Sequence, residues 1–163
     1  VASVTELIAA VRARQGALNY ASAGTGSSAH MNMEMFRHQA GLDIVHVPYR
    51  GAPALVQAVI AGEAPLAFAN LVNVMAQVRS GEVRLLAVTS LTRLPDLPEV
   101  PTMPELGHAG VLAGSWYGVL APAGLPAALR DRIHADLAAA LAQPALRTRI
   151  MAAGLDPIDV GPE

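Results

Sequence analysis

The chain has no cysteine and no lysine among its 163 residues, and aromatic side chains make up only 4% of it. Without cysteine there is no disulfide framework and no thiolate metal site, and the redox compartment stays open. All 11 basic side chains are arginine, none in a run or stripe, and the net charge is −2. Nucleic acid therefore finds no electrostatic footprint and is excluded as a partner. The first residues, Val1 to Glu6, lack the basic start, apolar centre and small-residue cleavage site of a secretory leader, so a leader is either missing or lies upstream. Apart from an alanine bias there is no low-complexity tract, and no internal repeat.

What the chain does have is apolar mass: 53% hydrophobic residues against 15% charged ones. That balance describes a compact globule, and the length suits one domain with a real core, or one and a half small ones. The uncharged run from Ala109 to Leu129 is long enough to cross a bilayer. Gly110, Gly114, Gly118, Pro122, Gly124 and Pro126 would break a helix there repeatedly, so a buried strand followed by a turn is expected instead.

Helix and strand signals alternate at short intervals. Ser3 and Glu6 form a capping-box pattern, predicting a helix over about 4–15 that Gly16 stops. Residues 18–23 read as a strand. A second helix is capped by Ser27 or Ser28, carries Met31, Met35 and Phe36 on one face, and ends at Gly41. The β-branched segment 44–49 reads as a strand, closed by Arg50-Gly51. A third helix follows, with Pro53 in its first turn and Leu55, Val56, Val59 and Ile60 as its apolar face. Residues 64–70 predict a strand, 72–79 a helix and 83–89 a fourth strand. This alternation argues α/β, with a mostly parallel sheet flanked by helices on both faces.

Pro95, Pro98, Pro101 and Pro104 then forbid long regular structure, and the segment reads as a surface crossing. A strand is expected over 111–121 through Trp116, whose ring is read chiefly as core packing. Pro126 opens a long helix with Leu129, Ile133, Leu137 and Leu141; Pro144 interrupts it, a second helical piece runs to Gly154, and 155–160 looks extended. A helix with no strand before it and a final piece with no closing element suggest a fragment.

The chemistry-bearing stretch is Ser22-Ala23-Gly24-Thr25-Gly26-Ser27-Ser28-Ala29-His30. A glycine-punctuated turn between strand and helix can aim several backbone N–H groups at one point, and a docked carboxylate or phosphate gains about 0.3–1 kcal/mol from the helix start. Glycine admits positive φ and close approach. The pattern is not a P-loop, because no Lys follows the second glycine, and it is not a dinucleotide fingerprint, because the third glycine and downstream acid are missing. A tight turn without a ligand is the ordinary alternative. His30, Glu34 and His38 share a helix face at a spacing that could chelate a metal, though such spacing is common on solvated faces. Ser27 or Ser28 with His30 could pair as nucleophile and base, but no nucleophile-elbow motif accompanies them. His30 could instead donate to a bound anion or orient the turn. Tyr49-Arg50-Gly51 ends a strand, where open α/β sheets place their crevices, with Tyr to stack and Arg to hold a carboxylate. Asn70 ends another strand and offers donor and acceptor to the same crevice, or caps the following helix.

Taken in order, Leu18 to Gly26, His30, Val45 to Gly51, Leu85 to Ser90 with Arg93, Pro101-Thr102, Ser115 to Gly118 and Ala121 to Gly124 closely resemble the Bug solute-binding proteins, the tripartite tricarboxylate transporter receptors. The resemblance covers nearly the whole chain. It implies a lobe of a periplasmic-binding-protein fold, type 2-like, in a two-lobed Venus-flytrap receptor. Such a receptor is periplasmic, non-enzymatic and free of cofactors. It would capture a small carboxylate, such as a di- or tricarboxylate, an amino acid or an aromatic acid, and deliver it to membrane permease subunits. Residues 1–114 would be the second lobe and 115–163 a portion returning to a first lobe whose Pro-Gly-Gly-type loop is absent, as is the family's last helix. By position, Ser22, Ala23, Gly24, Thr25, Gly26, Ser27 and His30 match the anion loop, Tyr49, Arg50 and Gly51 the second cleft edge, and Asn70 the Asn of an Asp-Asn pair. Ala69 stands where Asp is common, which puts an amino-bearing ligand in doubt and leaves a plain acid compatible. An uncovered lobe surface makes self-association, such as a homodimer, an expectation. The alternative is an effector-binding domain of a transcription regulator with a related two-lobed fold.

Overall fold

A computed structural model describes residues 1–112, 114, 117–152 and 155–161, and the chain divides into two compact units, Val1–Ser115 and Trp116–Glu163. The expected roles of Trp116 as a core ring and Gly154 as a helix stop lie outside the described residues.

The first unit is built on a three-stranded parallel sheet of β1 (Asn19–Ser22), β2 (Val45–Pro48) and β3 (Leu66–Ala67), in the order β2-β1-β3. Helix α1 (Val4–Arg12) precedes it. Its capping box forms one residue displaced: Ser3 Oγ accepts the Glu6 amide at 3.1 Å, while the Glu6 carboxylate reaches back to the amide of Ala2 at 2.8 Å. Helix α2 (Ser28–Ala40) joins β1 to β2, with Ser27 as its cap and Gly41 at φ 61° ending it. Helix α3 (Ala52–Ile60) then carries the chain across β1 to β3, and α4 (Leu71–Ser80) follows.

Alternation along β1 separates two cores. Tyr20 faces a cluster with Val4, Leu7 and Val11 of α1 and Met33, Phe36 and Ala40 of α2. Its neighbour Ala21 faces Leu55 and Val56 of α3. Helices thus cover both faces of the central strand, as alternating strands and helices predict.

Four expectations need correction. The inner face of α2 is Ala29, Met33, Phe36 and Ala40, while Met31 and Met35 are 50% and 37% exposed, because the sheet meets the helix on the side that also carries the small alanines. Residues 83–89 form no strand. Val88 makes a single parallel bridge to Thr102, and the prolines at 101 and 104, which lack an N–H, keep that pairing from extending. The proline-rich crossing does not run wholly over the surface: Val100, Thr102 and Met103 are buried, and Arg93 braces the segment on Glu105 and the Pro98 carbonyl. Among the described residues of 111–121 none lies in a strand. Val111 closes a turn onto His108 and joins the first core, whereas Tyr117, Val119 and Leu120 are exposed, so the segment's hydrophobicity is not spent on ladder pairing.

The second unit contains α5 (Ala127–Leu141), opened by Pro126, and α6 (Pro144–Ala152). His134 of α5 meets Asp159 at 3.0 Å. Among the described residues no helix is long and apolar enough to cross a membrane.

Candidate functional site

In a parallel sheet every strand ends at the same edge, so the segments after β1, β2 and β3 emerge side by side. Those segments are 23–27, 49–51 and 68–70, which include the expected site residues except Ser22, the last residue of β1, and His30 in α2. The order β2-β1-β3 also places a topological switch at β1, where the chain leaves one way through α2 and returns the other way through α3. Crevices in open α/β sheets form at such points.

The first two segments are stitched together. The Tyr49 amide donates to the Ser22 carbonyl at 2.9 Å, and the Gly51 amide donates to the Ala23 carbonyl at 3.3 Å. A Cβ on Gly24 would sit 3.8 Å from the Tyr49 carbonyl, so the two backbones run close. Gly51, at φ 88° and ψ 174°, occupies a region open essentially to glycine and turns the chain into α3. Thr25, Gly26 and Arg50 are exposed at this edge, and Ala23, Gly24 and Ser27 are partly so. The Tyr49 hydroxyl makes a long bond to Glu63, at 3.4 Å. Asn70 stands at the N-cap position of α4 but makes no side-chain cap bond to it.

The glycine turn does not aim all its amides outward. The Gly24 amide donates to Ser22 Oγ at 3.1 Å, the Gly26 amide to His30 Nδ1 at 3.1 Å and the Ser27 amide to the Gly24 carbonyl at 3.1 Å. An anion at the turn meets those two glycine donors already engaged by the chain's own acceptors. Ser27 Oγ caps α2 by accepting the His30 amide at 3.3 Å, so it is used as a helix cap and not paired with the imidazole as a base. His30 takes the loop-orienting role through Nδ1.

Behind the turn lies a partly buried polar column that sequence reasoning missed. Ser22 is fully buried, and its Oγ lies 2.6 Å from His46 Nε2. The His46 ring stacks on Tyr20, with centroids 4.9 Å apart, and on His30, at 4.1 Å. Tyr20, fully buried, donates its hydroxyl to Glu34 at 2.7 Å, and Glu34 also holds Arg37 at 2.8 Å. The Arg37 hydrogen bonds pull the Glu34 carboxyl below its ordinary range, with help from Tyr20. Burial, and then the Glu34 carboxylate, push the Tyr20 phenol upward. Burial first, and the neighbouring His30 charge second, hold His46 below the ordinary imidazole value. The legible signal was the i, i+2 spacing of Tyr20 and Ser22 on one strand face; the register Tyr20↔His46, which puts His46 on that face, was not readable.

Two members of the helical series His30, Glu34 and His38 are taken by other partners, His30 by the Gly26 amide and Glu34 by side chains. Glu34 serves Tyr20 and Arg37, and among the described residues no group of three His, Cys, Asp or Glu side chains is placed to hold a metal. An open depression of about 660 Å³ lies along α2 and the turn after it, between Met31, Glu34, Met35, Arg37, His38 and Asp43. It is shallow and open, unlike the enclosed clefts that bury most of a small ligand.

The sequence matches the family described as tripartite tricarboxylate transporter family receptor over residues 1–161, and the chain belongs to that family. It is 34% identical to a UPF0065 protein of Bordetella pertussis over 155 residues, 95% of this chain and 48% of that protein. Among solved structures it resembles R. palustris Rpa4515 with adipate, at TM-score 0.90 and 32% identity, covering 96% of this chain and 52% of the other. It also resembles MatC from Rhodopseudomonas palustris with bound malate, at TM-score 0.89 and 30% identity, covering 95% and 53%. The chain spans about half the length of these relatives. Membership of a receptor family does not favour the transcription-regulator alternative.

Proposed function

We propose that this chain supplies one wall of an extracytoplasmic, two-lobed receptor that captures a small carboxylate without covalent chemistry and presents it to a membrane permease. Residues 1–114 form the lobe that carries the wall, and 115–163 return toward the other lobe. The wall consists of the turn Ser22, Ala23, Gly24, Thr25, Gly26 and Ser27 with His30, the strand end Tyr49, Arg50 and Gly51, and Asn70. The observation that supports this reading is the gathering of all three segments at the carboxyl edge of one parallel sheet, at its switch point. Exposed Arg50 offers a cation beside the turn, suited to holding a carboxylate with two parallel hydrogen bonds. The adipate and malate carried by two similar structures agree with that ligand class. The mechanism is capture by closure, in which differential contact in the closed state shifts the population of the receptor.

A receptor holding its acid at micromolar strength distributes about −8 kcal/mol over two walls, and one wall at millimolar strength holds about −4 kcal/mol. Titrating malate and adipate into this chain, followed by amide shifts, is expected to give millimolar or weaker binding with shifts confined to 22–30, 49–51 and 70. Shifts only elsewhere overturn the site, and micromolar binding by the chain alone overturns the two-wall mechanism.

A further inference from the structure

The glycine turn is not held by its own backbone alone. Two of its amides end on side chains, Gly24 on Ser22 Oγ and Gly26 on His30 Nδ1, and both side chains converge on one ring. That ring is His46, 2.6 Å from Ser22 Oγ through Nε2 and stacked at 4.1 Å on His30. We propose that His46 is the positioning residue of the turn, setting the directions of the Gly24 and Gly26 amides through Ser22 and through its stack with His30.

Proton counting ties the His46 tautomer to where the Ser22 hydrogen goes. A serine hydroxyl has one hydrogen and two lone pairs. Ser22 Oγ accepts the Gly24 amide and reaches the Gly24 carbonyl at 3.2 Å as a donor. With the Ser22 hydrogen on the Gly24 carbonyl, as the proposal has it, the remaining lone pair takes a hydrogen from His46 Nε2. His30 accepts at Nδ1, so its own proton sits on Nε2. Groups from every packed element face this pair: Tyr20 from β1, and Glu34, with its partner Arg37, from α2. Burial and the like charge of a protonated His30 both disfavour a proton on His46.

A second proton on His30 turns Nδ1 from acceptor into donor. The Gly26 amide then loses its partner, and an anion before the turn meets both a freed amide and an imidazolium. The functional meaning of this rests on the turn being the ligand seat; the positioning itself does not.

The test is nuclear magnetic resonance on the isotope-labelled chain, reading both imidazole tautomers and the Gly24 and Gly26 amides across the histidine titration range, from about pH 5 to about pH 8. Both neutral rings are expected as the Nε2–H tautomer. In H46F, which keeps a ring and removes the nitrogen, hydrogen exchange at the Gly24 amide is expected to rise about fivefold to tenfold, the factor for one neutral hydrogen bond. H46Q, which restores a donor to Ser22, is expected to recover most of that protection. An Nδ1–H tautomer of either neutral ring, or unchanged Gly24 exchange in H46F, overturns the proposal, and the tautomer reading needs no variant to fold. Failure of malate to shift the loop while these signals hold would sink the ligand seat and leave the positioning role standing.

Discussion

The Tyr20 hydroxyl donates to Glu34 Oε1 at 2.7 Å, joining the central strand to the helix that follows it, within a column that continues through the Glu34 carboxylate to Arg37. The partner is an ionised carboxylate, which makes this a charge-assisted bond. Y20F removes the hydroxyl and leaves the ring stack with His46, so stability is expected to fall by about 1.5–3 kcal/mol. Urea unfolding measures it, and a loss below about 0.5 kcal/mol would show that water replaces the bond.

Three groups are depressed, exposed Glu105 and two in the polar column, and the column pair shapes the acid limb of stability. Glu34 and His46 both bind protons less readily folded than unfolded. The unfolded chain therefore takes up protons first, and stability falls with falling pH. His46 contributes stability that is present above its ordinary value of 6.5 and is lost as pH drops through its lowered folded value. Glu34 does the same below its ordinary 4.5. Urea midpoints across this range should show a two-part decline, H46Q flattening the upper part and E34Q the lower. A pH-independent midpoint would contradict both.

Gly51 holds φ 88° with ψ 174°, and an added Cβ would meet only Pro53 at 3.8 Å. The strain in G51A is thus conformational and not steric, and a cost of about 1–3 kcal/mol is expected. Thermal unfolding reads it; a neutral substitution would mean the turn relaxes to another geometry.

Two substitutions in the proline-rich segment should separate core from surface. Met103 is 2% exposed, so M103A is expected to cost about 2–5 kcal/mol. Arg93 pairs with Glu105 with both side chains well exposed, and R93A is expected to cost no more than about 1 kcal/mol. Equal losses in denaturant titrations would refute the distinction.

At the proposed seat, R50A should weaken carboxylate binding about tenfold or more, the least expected from losing one charge-assisted hydrogen bond of its pair, without moving the unfolding midpoint. Amide shifts under malate titration test this, and an unchanged response would remove Arg50 from the wall.

Local signals were legible wherever a single residue decides a backbone conformation. Ser3 and Ser27 cap their helices, Gly41 ends α2 in the left-handed conformation, and the glycine turn lies where a strand gives way to a helix. These features depend on neighbours within a few residues, so the sequence carries them openly. The alternation of strand and helix likewise implied a parallel sheet whose strand ends share an edge, which gathers 22–27, 49–51 and 70 there. The methionines of α2 were not readable, since Met31, Met33 and Met35 are equally apolar and only the docking angle of the helix selects Met33 for the core.

By itself the sequence determined the caps, the turns and the parallel α/β order, because chirality, hydrogen bonding and side-chain period act over short chain distances. Only the tertiary structure decided that His46, 24 residues from Ser22, lies against it, that Thr102 pairs with Val88, and that two glycine amides are engaged by the chain's own side chains. Strand register and helix docking fix those contacts. Register is a collective choice, made by whole faces packing together, and no local pattern encodes it.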